Sequence, residues 1–165
     1  MATTYTLIAS STVGSGGASN IEFTSIPSTY TDLLVKVSVR MASTYDLFWI
    51  RFNGVSTNLS GKSVQGDGSS AASYTEVPYG RVNNNGTTSN TFSSTDFYVP
   101  NYAGSDYKSV STDSVSENNA TQAYATLGAG LWSNISAITS IQIVPNGGDT
   151  FVQHSTAYLY GIKNS

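Results

Sequence analysis

The chain has 165 residues, of which 39% are hydrophobic and 12% aromatic, enough to bury one core without disulfide staples, and it contains no cysteine. Only 10% of residues are charged, against a usual fraction of about 25%. The seven Lys and Arg are scattered and the net charge is -3, which excludes the basic footprint of a nucleic-acid binder.

Nowhere do apolar residues keep a 3.6-residue period over ten positions, so strands are expected throughout. The opening MATTYTLIASSTVGSGGASN lacks a basic stretch and a long apolar run, which reads against a signal peptide and for synthesis in the cytosol. No run approaches the roughly 18 apolar residues of a membrane helix, so no membrane partner is expected. The first strand is placed at 5–9, followed by a flexible glycine stretch at 14–17. A second at 18–24 leads into the third, 32–40, where Leu33, Val35, Val37 and Val39 share one face and Asp32, Leu34, Lys36, Ser38 and Arg40 the other. The fourth, 48–52, gives Phe48, Ile50 and Phe52 a core face and leaves Leu47 and Trp49 pointing the other way beside Arg51. Asn53 and Gly54 then supply the two positive-φ positions of a type I′ turn.

The segment 60–73, containing GKSVQGDGSSAAS, reads as an exposed loop. Strands follow at 74–77, 92–99, 108–115, 121–131 and 137–144, with Asn85 and Gly86 repeating the turn chemistry. Asn146, Gly147 and Gly148 are expected to close a hairpin onto a last strand, 151–162. That strand offers Phe151, Ala157 and Leu159 on one side and Val152, Tyr158, Tyr160 and Ile162 on the other.

Ten short strands separated by glycine and asparagine turns indicate an all-β fold, an antiparallel β-sandwich in a single domain over 1–165. A jelly roll is preferred to an immunoglobulin-like sandwich. Fully burying a large apolar side chain contributes about 1.5–3 kcal/mol, so the second faces of 48–52 and 151–162 want cover. Either the loop 60–73 folds over them or a neighbouring subunit does. On the second reading Leu47, Trp49, Tyr158 and Tyr160 are the interface residues.

Chemistry is sparse. His154, the only histidine, is placed inside the last strand, and with no cysteine a multi-histidine or thiolate metal site is excluded. No G-x-S-x-G elbow accompanies it. The three Glu and seven Asp are widely spaced, and GDGSS and NGGDT lack the carboxylate density of an EF-hand loop. GSGG lacks the Lys-Ser/Thr ending of a phosphate loop. Sequons at Asn58, Asn85, Asn119 and Asn134 are what composition alone yields. Tyr74, Tyr79, Tyr102 and Tyr107, near hydroxyl-rich loops, are the candidates for stacking on sugars, although a strand tyrosine with its hydroxyl in water explains most of them. No catalytic residue, metal or cofactor is expected, and the chain does not read as an enzyme.

Three stretches carry a resemblance: YTLIASSTVGSGGASNIEFTSIPSTYTDLLVKVSVR, IRFNGVSTN, and LGAGLWSNISAITSIQIVPNGGDTFVQHSTAYLYGIKN. Together they resemble small virion-associated proteins of tailed bacteriophages, most densely those of cyanophages and marine phages. The stretch 61–90 does not share the likeness. The resemblance implies a β-sandwich structural protein of the particle, made in the host cytoplasm: a head decoration, or cement, protein on the capsid surface. Its expected partners are the major capsid protein and copies of itself in a homotrimer. The alternative is a tail or tail-fibre domain that binds host-surface carbohydrate.

Overall fold

The computed structural model describes residues 4–119 and 122–163. Thr121, the expected start of one strand and the end of the Asn119 sequon, lies outside the described residues. In chain order the strands are β1 (Tyr5–Thr12), β2 (Ile21–Phe23), β3 (Asp32–Ser38), β4 (Leu47–Phe52), β5 (Leu59–Gly66), β6 (Ala71–Glu76), β7 (Tyr79–Arg81), β8 (Ser94–Val99), β9 (Lys108–Glu117), β10 (Ala123–Trp132), β11 (Ile141–Pro145) and β12 (Thr156–Ile162). They form an eight-stranded sheet, ordered β1-β12-β3-β8-β9-β10-β5-β6, and a four-stranded sheet, ordered β2-β11-β4-β7. The pairings are antiparallel, and the two sheets pack as a sandwich.

Without the β5–β6 and β9–β10 hairpins, β1-β12-β3-β8 lies against β2-β11-β4-β7, and most connections cross from one sheet to the other. This order is compatible with the expected jelly roll. The two hairpins extend the larger sheet into a wing beyond β8.

Alternation sets the core. Leu33, Val35 and Val37 of β3 and Phe48, Ile50 and Phe52 of β4 point inward, as the period-2 pattern requires. Phe48 sits edge-on to Phe97 at 5.9 Å and to Phe151 at 6.1 Å between ring centroids, and Phe52 packs on Trp132 at 5.5 Å. These rings tie both sheets into one hydrophobic cluster.

Three expectations about local structure are corrected. The segment 60–73 is a hairpin, not a loop: Asp67 Oδ1 accepts the Ser69 and Ser70 N–H groups at 2.9 and 2.7 Å, and Gly68 takes φ +87°. Asn146–Gly148 is a short 3-10 turn rather than a hairpin loop, because β11 belongs to the small sheet and β12 to the large one. The last strand starts at Thr156, since the chain turns at His154, whose φ is +72°. His154 therefore lies before the strand. Asn53 and Gly54 do adopt φ +51° and +71°, with Val55 N donating to Phe52 O at 3.1 Å, but their turn passes the chain between sheets.

Candidate interaction surfaces

The four expected interface residues do not share a surface. Leu47 and Trp49 lie on β4 in the small sheet, whereas Tyr158 and Tyr160 lie on β12 in the large one. Leu47 and Trp49 are half-buried within the chain itself. Trp49 stands edge-on to Tyr79 of β7 at 6.4 Å and shares a small cleft with Leu59 and Val77, which flank the β5–β6 hairpin. Cover for this strand comes from the wing. Tyr158 is exposed and Tyr160 half-buried, on the outward face of the large sheet.

That outward face continues across all eight strands. Register runs Ser10, Tyr158, Lys36, Asp96, Asp113, Leu127, Val64, Ser73 in one cross-strand row, and Leu7, Tyr160, Leu34, Tyr98, Ser111, Ala129, Lys62, Thr75 in the next. Leu7 is 52% exposed, Val64 55% and Leu127 64%, while Tyr5, Tyr98, Val115, Leu131 and Tyr158 also stand in solvent. Four of these sixteen positions are charged: Lys36 and Asp96 pair at 2.5 Å, Lys62 donates to Thr75 Oγ1 at 2.5 Å, and Asp113 stands opposite Asp96.

Why Leu127 and Leu131 face outward is local steric chemistry. In β10 the alternative face carries Thr126, Gly128, Gly130 and Trp132. A Cβ at Gly130 would collide with the Pro78 ring, and one at Gly128 would press on Thr112 Cβ at 3.2 Å. Only glycine allows β7 and its flanking Pro78 this close to the wing, so the leucines are turned out. Sequence reasoning missed this surface because it weighed apolar content strand by strand and not what opposes each strand.

A second feature is a polar cleft of about 300 Å³ where β7, the end of the β9–β10 hairpin and the 84–87 turn meet. Arg81 extends into it from β7. Its Nε donates to Gln65 Oε1 at 2.8 Å, its Nη1 to Asp46 Oδ2 at 2.5 Å, and its guanidinium lies 4.4 Å from the centroid of the Tyr124 ring. Asn84 Nδ2 donates to the Thr44 and Tyr45 carbonyls at 2.9 and 3.1 Å. Glu117 accepts the Thr88 and Asn119 N–H groups, both at 2.6 Å, and the Thr91 hydroxyl at 3.0 Å. Burial pushes the Glu117 carboxyl up, but these donors outweigh it and hold it below the ordinary glutamate range.

Of the four tyrosines considered for sugar stacking, two are unsuited to it. Tyr102 is fully buried and its hydroxyl donates to Pro27 O. Tyr79 is buried with its hydroxyl 2.8 Å from Ser63 Oγ, and burial raises its pKa. Tyr74 and Tyr107 remain exposed. Among the described residues no group of three or more His, Cys, Asp or Glu side chains converges, and no helix is long and apolar enough to cross a membrane. Comparison of the chain with protein-family models, curated proteins and solved structures finds no match.

Proposed function

We propose that this chain is a structural protein of a tailed-phage particle, a head decoration protein that binds and stabilises the shell of the major capsid protein. The observation that supports it is the outward face of the eight-stranded sheet, broad, mostly uncharged, and carrying exposed Leu, Val and Tyr. Several large apolar side chains exposed on one face of a sheet mark a candidate interaction site. Contacts made by hydroxyls, amides and aromatic rings also depend little on salt, because few of them are screened ion pairs. The action is thermodynamic. A protein that binds only the assembled shell lowers that state's free energy by its binding free energy at every site, which opposes rupture from within.

In this reading the outward face of the large sheet, with Tyr158 and Tyr160, is the docking surface, and Leu47 and Trp49 serve the chain's own packing. The chain assembles as a homotrimer on the shell. Quantifying the protein against the major capsid protein in purified particles tests the proposal: comparable copy numbers are expected, and absence from the particle refutes it. In shell-binding assays Tyr158→Ser with Leu127→Ser abolishes binding while leaving the melting temperature within about 2 °C, as surface substitutions do. The polar cleft favours a second reading, a tail or tail-fibre domain that binds carbohydrate, for which a few copies per particle are expected.

A further inference from the structure

We propose that the cleft around Arg81 binds one pyranose ring of a neutral glycan. The inference rests on the cleft alone and holds wherever the protein resides. A volume of about 300 Å³ is at the lower end of ligand pockets, room for one sugar ring and too little for an extended polymer. Two carboxylates, Asp46 and Glu117, against one guanidinium leave the lining net negative, which disfavours phosphate, sulfate and carboxylate ligands. The lining is more polar than apolar, with Val82 and the Tyr124 ring as its main apolar surfaces, which disfavours lipids. Two carboxylates with a guanidinium bound to one of them also make a poor divalent-cation site.

What remains is a ligand that donates and accepts hydrogen bonds at adjacent atoms. Arg81 is fixed at Nε and Nη1, and its Nη2 donates to no side chain or carbonyl among the described residues. Asp46 engages Arg81 through Oδ2, its side chain is 48% exposed, and its Oδ1 accepts no hydrogen bond among the described residues. Nη2 is joined to the same carbon as Nη1, and Oδ1 to the same carbon as Oδ2. Nη2 and Oδ1 are therefore the donor and the acceptor that the ion pair leaves for a ligand. Sugar hydroxyls, each able to accept from Nη2 and donate to Oδ1, match that pair. The surrounding wall is already ordered: Asn84 is tied to two backbone carbonyls and Glu117 to two backbone N–H groups. Little conformational entropy is lost when a ligand enters such a wall.

The test is a nuclear magnetic resonance titration of the full chain with methyl glucoside, methyl galactoside, methyl mannoside and, as the anionic contrast, methyl glucuronide. At least one neutral glycoside is expected to shift the Arg81 Nε–H, the Asn84 side-chain amide and the Tyr124 ring, saturating with a Kd on the order of 1 mM. Asp46→Ala weakens it about tenfold, whereas Tyr158→Ser, outside the cleft, leaves it unchanged. No shift with any neutral glycoside, shifts confined to other surfaces, tighter binding of the glucuronide, or undiminished binding by a folded Asp46→Ala protein would each overturn the proposal. Sugar binding by a protein missing from phage particles would sink the virion reading and leave this one standing.

Discussion

Lys108 is 1% exposed, and its ammonium reaches out of β9 to four backbone carbonyls: Asp106 at 2.6 Å, Gly104 at 2.7 Å, Ser136 at 2.8 Å and Asn134 at 3.5 Å. One side chain thus fastens two loops to each other below Trp132, whose ring centroid lies 5.8 Å away. Lys108→Met keeps the unbranched apolar stem, one heavy atom shorter, and removes the donors. Each short charge-assisted hydrogen bond contributes about 1.5–3 kcal/mol net, and each buried carbonyl left without a donor costs about 1–3 kcal/mol. Simple addition over three short bonds overshoots, because water enters beside at least one loop and because Met avoids the ammonium's desolvation. About 3 kcal/mol of destabilisation is the expected balance. For a chain of this size that is a fall of about 6–12 °C in Tm, or of about 1.5 M in the urea midpoint at a slope of about 2 kcal/mol/M. The pH response separates this role from plain packing. Burial lowers the Lys108 pKa, with Asp106 acting the other way, so between that lowered value and 10.5 the unfolded chain binds more protons than the folded one. Stability therefore rises with pH across that window in the wild type, and Lys108→Met lacks this rise. A Tm loss under about 2 °C, with loop amides 104–106 and 134–136 as protected from exchange as before, would refute the reasoning.

Two further outcomes follow from named contacts. Gly130→Ala drives a methyl group into the Pro78 ring and should destabilise by about 1–3 kcal/mol in chemical denaturation, whereas Gly14→Ala, with nothing within 4 Å, should be near neutral. Glu117, depressed below its ordinary 4.5, contributes stability that is present above that value and lost as pH falls through its folded pKa. Protection factors of the Thr88 and Asn119 amides, taken against intrinsic rates at the same pH, should fall on acidification below pH 4.5, and Glu117→Gln should abolish that acid dependence.

The sandwich was legible where one face of a strand is greasy and the other is not. Leu33, Val35 and Val37 set β3, and Phe48, Ile50 and Phe52 set β4, because a slip of one residue would turn each set into water. The β5–β6 hairpin was not legible for the converse reason. Its sequence LSGKSVQG…AASYTE has no apolar alternation, since β6 is an edge strand exposed nearly throughout and β5 opposes only the short β7. The 146–148 turn shows the limit of turn chemistry: Asn and Gly permit positive φ, but whether the flanking strands then pair or part depends on which sheet has a vacancy. Likewise Trp49 looked like an unsatisfied interface residue because nothing in the local pattern shows that Tyr79, Leu59 and Val77 come to lie beside it.

A single architectural asymmetry accounts for both candidate surfaces. Four strands cannot cover eight: Phe52 and the loops at 104–106 and 134–136 cover the end of the wing at Lys108 and Trp132, and the rest of its inner side faces β7 and the flanking Pro78. The narrow strip that β7 covers is lined by Ser63, Thr112, Ser114, Gly128 and Gly130, residues small enough for close approach and, in the hydroxyl cases, able to bond back: Ser114 Oγ accepts the Arg81 N–H at 2.8 Å. Where β7 ends, the strip opens into the polar cleft that holds Arg81 and Tyr124. With glycines and hydroxyls committed to the inner side, period-2 geometry forces the larger apolar residues of the same strands, Val64, Val115, Leu127 and Leu131, onto the outer one. Enlarging the inner residues would close the cleft and push β7 away, whereas replacing the outer ones with serine should leave both the fold and the cleft intact. The two surfaces are therefore separable by mutation, and shell binding and sugar binding can be tested independently in one protein.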